Sequence, residues 1–392
     1  MLDFEYSCPT RIVFGNGRTN MAGSLCKAYS KVMLVYGSGS VVKNGILATV
    51  ASSLEASGIS SFMFGGVHSN PELDKVEEGR KAALENKADF ILAVGGGSVI
   101  DTAKAIAVSM SCDSAYTMYQ RVCQNYEDID SRVPVGVVLT IAASGSETGE
   151  SFVISFQGQK LIGTCRSCAP AFAVLDPLNT LSLPAFQTAC GAADILSHLQ
   201  ERYFASASSN DLSDQWLEAA MRTVIQTARL LVDKPDDVQL RASMMWVGTL
   251  AHNGLLDRGR GSGDWACHMI EHELSAKYPI THGEGLAMIT GSWLRHCMAF
   301  SQARPKLGQL AQRVWLSVFA NDSDENIVYG ITAQEDWYRK LGLRTSLSQF
   351  AGVCEKDLEG IASSFAWEPG DLVKLTPQSI KAILLDSYSR KD

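Results

Sequence analysis

The stretch Phe90-Ile-Leu-Ala-Val-Gly-Gly-Gly-Ser-Val-Ile-Asp101 joins an apolar run to a helical one through three consecutive glycines. Its first five residues are all apolar, which is typical of a strand buried on both faces of a sheet. The helical pattern after Ser98 continues to about Val108. Glycines in such a turn let backbone N–H groups approach a phosphate, although they can also serve only a tight turn. The stretch predicts a strand, a candidate phosphate-binding turn at residues 95–98, and a helix.

The same alternation of strand and helix runs through the first half of the chain. Further strand-like runs lie at residues 31–36, 62–64, 135–139 and 172–175, and helical runs lie at residues 41–57 and 72–87. Alternating strands and helices predict a mostly parallel sheet with helices on both faces. Nucleotides bind such sheets at the carboxyl ends of the strands.

A second glycine-rich turn, Gly37-Ser-Gly-Ser40, follows the first of these strands, and Lys43 lies just beyond it. NAD sites of this type usually hold the adenosine ribose with an acidic residue. Small hydroxyl residues and a lysine leave room and positive charge for a 2′-phosphate, which favours NADP(H) over NAD(H). Lys43 could equally be a solvated helix residue.

The second half of the chain is helical in pattern. After Leu183-Pro184 the periodic segments are residues 211–232, 238–256, 305–319, 326–341 and 377–388. We therefore predict two domains: an α/β, Rossmann-like, dinucleotide-binding domain over residues 1–184, and an all-α, metal- and substrate-binding domain over residues 185–392.

Four of the seven histidines, His198, His268, His272 and His282, lie in one stretch of the chain near Asp194 at spacings that suit metal coordination. The segment that begins at Gly191 is helical in pattern, so Asp194 and His198, four residues apart, share one face. A second helical segment places His268 and His272 one turn apart.

His282 opens a third helical run, which could direct its side chain to the same point. Asp194, His198, His268 and His282 would then supply one carboxylate and three imidazoles, with His272 nearby. A ligand set without thiolate suits iron(II), zinc or manganese better than copper. Each histidine could also be an ordinary helix residue, but two such pairs in a histidine-poor chain favour the metal site.

Composition limits the classes of partner. A net charge of −8 without a basic run argues against nucleic acid or an anionic membrane as the main partner, and small molecules are the expected ligands. We find neither a secretory signal nor a long apolar run, and the ten cysteines form no framework. Cys165 and Cys168 have CxxC spacing but lack a second pair. These features predict a cytoplasmic protein.

Taken together, the motifs resemble those of the iron-containing, group III alcohol dehydrogenases, in the branch of butanol dehydrogenases and NADPH-dependent aldehyde reductases. The resemblance covers the whole chain. It rests on Tyr36-Gly-Ser-Gly-Ser40, Gly95-Gly-Gly-Ser-Val-Ile-Asp101, Gly145-Ser-Glu147, Asp176-Pro with Leu183-Pro, Asp194 with His198, and Gly263-Asp-Trp-Ala-Cys-His268-Met-Ile-Glu-His272-Glu-Leu-Ser to His282-Gly.

The resemblance implies the architecture that this family shares with dehydroquinate synthase, an iron, zinc or manganese ion on the four ligands named above, and a homodimer. It implies that His272 lies near the nicotinamide, and His272 and Asp101 are the candidate catalytic residues. The implied cofactor-binding residues are Gly37, Ser38, Gly39, Ser40, Lys43, Gly95, Gly96, Gly97, Ser98, Asp101, Thr140, Ser144, Lys160, Asn179 and Leu183.

The expected reaction is reversible hydride transfer between a nicotinamide and a small aldehyde in an interdomain cleft. The alternatives are a dehydroquinate-synthase-like lyase that uses NAD and zinc, and a nucleotide-binding regulatory protein with a structural metal. The chain departs from the family at 140–145, which lacks a common proline, and at Arg258 and Arg260. These arginines could pair with an anionic substrate or could be solvated loop residues.

Overall fold

The computed structural model describes residues 1–205 and 211–390. Its main sheet has six strands, and every pairing between them is parallel. The strand order is β1-β8-β5-β4-β2-β3. These strands are β1 (Arg11–Phe14), β2 (Lys31–Gly37), β3 (Ser60–Val67), β4 (Phe90–Gly95), β5 (Val135–Leu139) and β8 (Phe172–Leu175).

The central strands are the most apolar because helices cover both faces of the sheet. Every residue of β4, β5 and β8 is buried. One apolar core includes Met33, Ile91 and Val137, and a second includes Val32, Leu92 and Val138. Neighbouring residues of one strand therefore enter opposite cores, which explains the continuous apolar runs in the sequence.

The helices of this part are α1 (Ala22–Leu25), α2 (Ser40–Lys43), α3 (Ile46–Ala56), α4 (Leu73–Glu85), α5 (Gly97–Ser109) and α6 (Ala115–Met118). The predicted helix at 41–57 is divided into α2 and α3, because Gly45 takes a positive φ of 79°. The sequence interpretation also missed an antiparallel hairpin of β6 (Ser151–Phe156) and β7 (Gln159–Thr164).

The remaining helices are α7 (Ala185–Tyr203), α8 (Asp211–Asp233), α9 (Val238–His252), α10 (Ala266–Lys277), α11 (His282–Met298), α12 (Arg304–Arg313), α13 (Asp324–Lys340), α14 (Glu355–Ser363) and α15 (Pro377–Ser389). Each predicted helical segment corresponds to one of them, although α9 and α12 end earlier than predicted. None of the helices in the described ranges has the length and apolarity that spanning a membrane requires.

The chain forms two compact units. The α/β unit contains Ser7–Leu183 and Asp236–Asn253, and the helical unit contains Met1–Tyr6, Pro184–Pro235 and Gly254–Asp392. The chain passes from one unit to the other between Leu183 and Pro184, beside the predicted boundary. The prediction placed α9 in the second domain, whereas the structure packs it into the α/β unit, where Thr249 donates a hydrogen bond of 2.6 Å to Glu147.

Candidate metal centre and cofactor-binding loops

Helix α7 presents three acidic or imidazole side chains along one face. Asp194, His198 and Glu201 are spaced by four and three residues, which places them above one another on a helix. All three are buried, as is the whole helix from Ala189 onward. A buried helix that carries so many ionisable groups needs partners for them nearby.

Helix α10 supplies His268 and His272. The helix begins directly after Trp265, which has a left-handed backbone conformation (φ 61°). Asp264 Oδ1 accepts a hydrogen bond of 3.1 Å from the amide of Ala266, the first residue of the helix. His268 is buried, and His272 is half-buried one turn later.

Helix α11 begins at His282. The next residue, Gly283, lets the start of α11 lie directly on α7, because a Cβ there would come within 2.0 Å of the Cys190 carbonyl oxygen. This close approach places the imidazole of His282 beside Asp194.

The three predicted imidazole ligands lie around one oxygen of Asp194, and the ligand atoms of Asp194, His268 and His282 also lie within 4.8 Å of one another. Oδ1 of Asp194 lies 3.3 Å from Nε2 of His198, 3.6 Å from Nε2 of His282 and 3.8 Å from Nε2 of His268. Ligand atoms about 2.1 Å from one ion in a tetrahedral arrangement lie about 3.4 Å from one another.

Two atoms at the centre also lack other partners. Asp194 Oδ1 and His268 Nε2 are buried, and neither has a hydrogen-bond partner within residues 1–205 and 211–390. Buried polar atoms normally form hydrogen bonds. Two such atoms that lie close together without partners therefore fit a bound cation. The side chains present therefore suit a divalent ion with oxygen and nitrogen ligands.

Two buried carboxylates, which the sequence interpretation missed, contact the Nδ1 atoms of the predicted ligands His268 and His282. Glu201 Oε1 lies 3.2 Å from Nδ1 of His268, and Glu271 Oε2 bonds Nδ1 of His282. Glu201 could have been found from its place seven residues after Asp194, on the same face of α7. Glu271 gives no comparable signal, because its partner lies across the turn between two helices.

The carboxylates dominate the electrostatics of the site. Burial alone lowers the pKa of His268, but the nearby carboxylates of Asp194 and Glu201 outweigh burial and raise that pKa to about 9. A position that stabilises positive charge on an imidazole also favours a cation.

The structure places His272 next to the predicted metal ligand His282. The ring centre of His272 lies 5.5 Å from that of His282. Glu271, His272 and His282 also have side-chain atoms close enough together to hold a metal ion. His272 thus has the position expected of a group that handles a proton beside the metal, and its role stays a prediction.

Most predicted cofactor residues lie where strands of the main sheet end. Gly37 ends β2, Gly95 ends β4 and Thr140 follows β5. The Thr140 amide donates to the Gly95 carbonyl (3.1 Å), and the Asn179 side chain donates to the Leu139 carbonyl (3.1 Å). The loops after β2, β4, β5 and β8 therefore share one edge, because parallel strands all end there.

Two predicted cofactor residues have other locations. Lys160 lies on β7 of the hairpin, opposite Ser155, and so is outside the main sheet. Leu183 is the last residue of the α/β unit before Pro184.

The three glycines of the turn after β4 also have a packing role. A Cβ on Gly95 would meet Val99 at 2.6 Å, one on Gly96 would meet Ile141 at 2.2 Å, and one on Gly97 would meet the Ser144 hydroxyl at 2.6 Å. The turn must therefore be tight, and Gly96, which precedes α5, forms no side-chain cap on the first N–H groups of the helix, so the packing and the phosphate-binding interpretations of these glycines both fit.

Asp101 is bonded within the α/β unit. It accepts hydrogen bonds from the Ser146 hydroxyl (2.6 Å) and the Val153 amide (3.0 Å), so it joins α5 to β6. Burial raises its pKa, and the neighbouring Lys104 ammonium opposes that rise. These contacts show a structural role for Asp101, and its predicted catalytic role stays a prediction.

The two arginines upstream of α10 are both bonded, but Arg258 keeps 35% of its side chain exposed. Arg260 is buried, pairs with Asp214 at 2.5 Å and donates to the Tyr203 carbonyl at 2.9 Å. Arg258 donates to the Gly254 carbonyl and lies 3.4 Å from Asp257. Both guanidinium groups are thus bonded inside the helical unit, and pairing of Arg260 with an anionic substrate would require breaking a buried ion pair.

The CxxC pair has no redox or metal signature. Cys165 and Cys168 are buried free thiols. Burial raises the pKa of Cys168 to about 12, so its thiol remains protonated and inert at neutral pH.

A parallel sheet with glycine-rich turns at the carboxyl ends of its strands, together with one carboxylate surrounded by three imidazoles, is typical of metal-dependent, nucleotide-linked enzymes. Family comparison makes this specific: residues 9–177 match the iron-containing alcohol dehydrogenase model, and residues 188–388 match the C-terminal model of the Fe-containing alcohol dehydrogenase family. The chain belongs to the iron-containing alcohol dehydrogenase family. The predicted family, fold class and oxidoreductase activity are confirmed, and the lyase alternative is not favoured.

Individual relatives cover most or all of the chain. NADH-dependent butanol dehydrogenase B of Clostridium acetobutylicum is 43% identical over 76% of each chain, and the NADPH-dependent aldehyde reductase YqhD of Escherichia coli is 34% identical over 89% of each chain. The crystal structure of NADH-dependent butanol dehydrogenase A from Thermotoga maritima, 33% identical, covers 99% of both chains with a TM-score of 0.93.

Proposed function

We propose that this chain reduces small aldehydes with NADPH, and oxidises the corresponding alcohols, at a divalent ion held by Asp194, His198, His268 and His282. The observation that carries the proposal is the convergence of three imidazole Nε2 atoms on Oδ1 of Asp194. A metal held there would act as a Lewis acid on the carbonyl oxygen. The nicotinamide would supply or accept the hydride.

The protein's own groups orient the reactants and handle the proton. We assign proton transfer to His272, because an imidazole titrates near neutral pH and this one lies beside the ligand His282. We assign the pyrophosphate of the cofactor to residues 95–98, where the N-terminus of α5 favours an anion.

We propose iron(II) as the ion, in line with the family name, although zinc binds such ligands more tightly and the cell's supply decides. We also propose a homodimer, in line with the family resemblance, and a cytoplasmic location. All ten cysteines are free thiols, which supports a reducing compartment.

The substrate should be an uncharged aldehyde, because Arg258 and Arg260 are bonded within the helical unit. A panel of aldehydes, containing butanal and an anionic aldehyde of the same length, is assayed by NADPH oxidation. We expect turnover of butanal and little turnover of the anion. Failure to oxidise NADPH with every aldehyde contradicts the proposed activity.

The ligand assignment is tested in the same assay with His268→Ala. Loss of the buried imidazole should release the metal and lower turnover by at least about a hundredfold, since metal polarisation contributes several kcal/mol. His296→Ala is the matched control: this histidine lies on α11 but contacts Phe300, not the cluster. A His268→Ala variant with normal metal content would show that the assignment is wrong.

A further inference from the structure

The three helices that carry the candidate ligands are joined to one another by two carboxylates. Glu201 on α7 accepts a hydrogen bond from the His268 backbone amide (3.1 Å) and contacts Nδ1 of the same residue on α10. Glu271 on α10 bonds Nδ1 of His282 on α11. One carboxylate thus links α7 to α10, and the other links α10 to α11.

Both carboxylates are deeply buried. Glu201 is 2% exposed and Glu271 is fully buried. Glu201 has no lysine or arginine partner in the described part of the chain, and its Oε2 has no hydrogen-bond partner there. A buried carboxylate without a lysine or arginine partner is costly, so Glu201 depends on positive charge at His268 or on a cation bound beside it.

We propose that Glu201 and Glu271 are the positioning residues of the metal centre. Each carboxylate accepts the Nδ1 proton of a ligand imidazole, which leaves the Nε2 lone pair directed at the point beside Asp194. Their negative charges also offset the charge of the bound ion. This inference rests on the proposed function, because it takes His268 and His282 as ligands.

The packing around Glu271 shows that its position is specified. A Cβ on Gly285 would lie 2.7 Å from Cγ and 2.9 Å from Oε1 of Glu271. The glycine four residues into the His282-Gly-Glu-Gly285 segment therefore makes room for this carboxylate. Alanine at 285 is the better helix former, but its Cβ would displace Glu271.

The experiment measures metal affinity of the full-length protein by competition with a chelator, together with the visible absorption spectrum of the cobalt(II)-loaded protein. Glu271→Gln keeps the side-chain volume and a hydrogen-bond acceptor but removes the charge, whereas Glu271→Leu removes both. We expect metal affinity to fall about 10-fold to 100-fold, with the larger loss in the leucine variant, and the cobalt spectrum to shift. Glu201→Gln should behave as Glu271→Gln does.

Gly285→Ala tests the same idea without altering a carboxylate. It should weaken metal binding even though alanine is the better helix former. Glu218→Gln is the matched control, because Glu218 is also buried in the helical unit but bonds Tyr203 and Gln309 instead of a ligand. It should leave metal affinity and the cobalt spectrum unchanged.

The outcomes separate this inference from the proposed function. Wild-type metal affinity in both Glu271 variants, combined with metal loss in His282→Ala, overturns the inference and leaves the metal site in place. Retention of metal by His282→Ala overturns the proposed site itself. If Glu271→Leu does not fold, Glu271→Gln and Gly285→Ala decide the question.

Discussion

Individual residues of the metal cluster could be predicted because helical spacing is a local property. Asp194 and His198 are four residues apart on α7, and the structure places Nε2 of His198 3.3 Å from Oδ1 of Asp194. Glu271 could not be predicted in this way. Its importance comes from a contact with His282 on the next helix, and no local pattern encodes that contact.

Lys43 carries a prediction at the same scale. It is exposed on α2, just after the turn at Gly39, and its ammonium forms no ion pair with the residues that the structure describes. If the ammonium of Lys43 contacts the 2′-phosphate of NADPH, Lys43→Ala should lower kcat/KM for NADPH about tenfold and leave kcat/KM for NADH unchanged. A tenfold loss corresponds to roughly 1.4 kcal/mol of transition-state stabilisation.

Steady-state kinetics with both cofactors measures this difference. Lys27→Ala provides the control, since Lys27 is also exposed but precedes β2, at the other edge of the sheet. An equal loss with NADH and NADPH would contradict the 2′-phosphate assignment.

At the scale of elements, the existence of helices and strands was predictable, and some of their ends were not. Helix α9 ends at His252 because Gly254 takes a positive φ of 78°. Helix α12 ends at Arg313, and Leu316, which the pattern assigned to the helix, has a φ of 60°. The hairpin of β6 and β7 was missed because its strands pair with each other, outside the parallel sheet.

One buried side chain links helix α5 to the segment that leads into β6. Lys104 on α5 is fully buried and donates to the carbonyls of Ser146 (2.6 Å), Gly149 (2.8 Å) and Ser151 (3.0 Å). These acceptors lie in the segment that joins the loop after β5 to β6. The ammonium therefore holds that loop against the helix that begins at the glycine-rich turn.

We expect Lys104→Met to lower the free energy of unfolding by about 3 kcal/mol, because it leaves buried carbonyls and the Asp101 carboxylate uncompensated. Lys81→Met on α4 serves as the control, since its side chain is 65% exposed and should change stability by less than about 0.5 kcal/mol. Denaturant titration measures both. An unchanged unfolding midpoint for Lys104→Met would show that the network contributes little.

At the scale of the whole molecule, the chain forms two units whose boundary at residue 183 follows the change from alternating to helical pattern. The sequence did not predict the unit to which α9 belongs. Its pattern is helical, as in the second half of the chain, but its buried face packs into the α/β unit beside Glu147.

Metal removal tests the helical unit as a whole. A metal present at about a thousand times its dissociation constant stabilises the native state by about 4 kcal/mol, so a chelator should lower the melting temperature by about 10 °C. Thermal denaturation with and without chelator measures the change. His268→Ala should melt at the same temperature with or without added metal. A wild-type melting temperature that does not change with chelator would contradict a metal-bound native state.

Patterns in the sequence were enough to predict the alternation of strands and helices, the change to an all-helical second half, and the residue pairs Asp194/His198 on α7 and His268/His272 on α10. These features depend on periodicity within one segment, where each side chain's direction follows from its place along the helix or strand. The tertiary structure alone decided the carboxylates on the far sides of His268 and His282, the burial of Arg260, and the unit to which α9 belongs. These depend on contacts between segments distant in the chain, and burial makes the pairing of charges obligatory only after those segments meet.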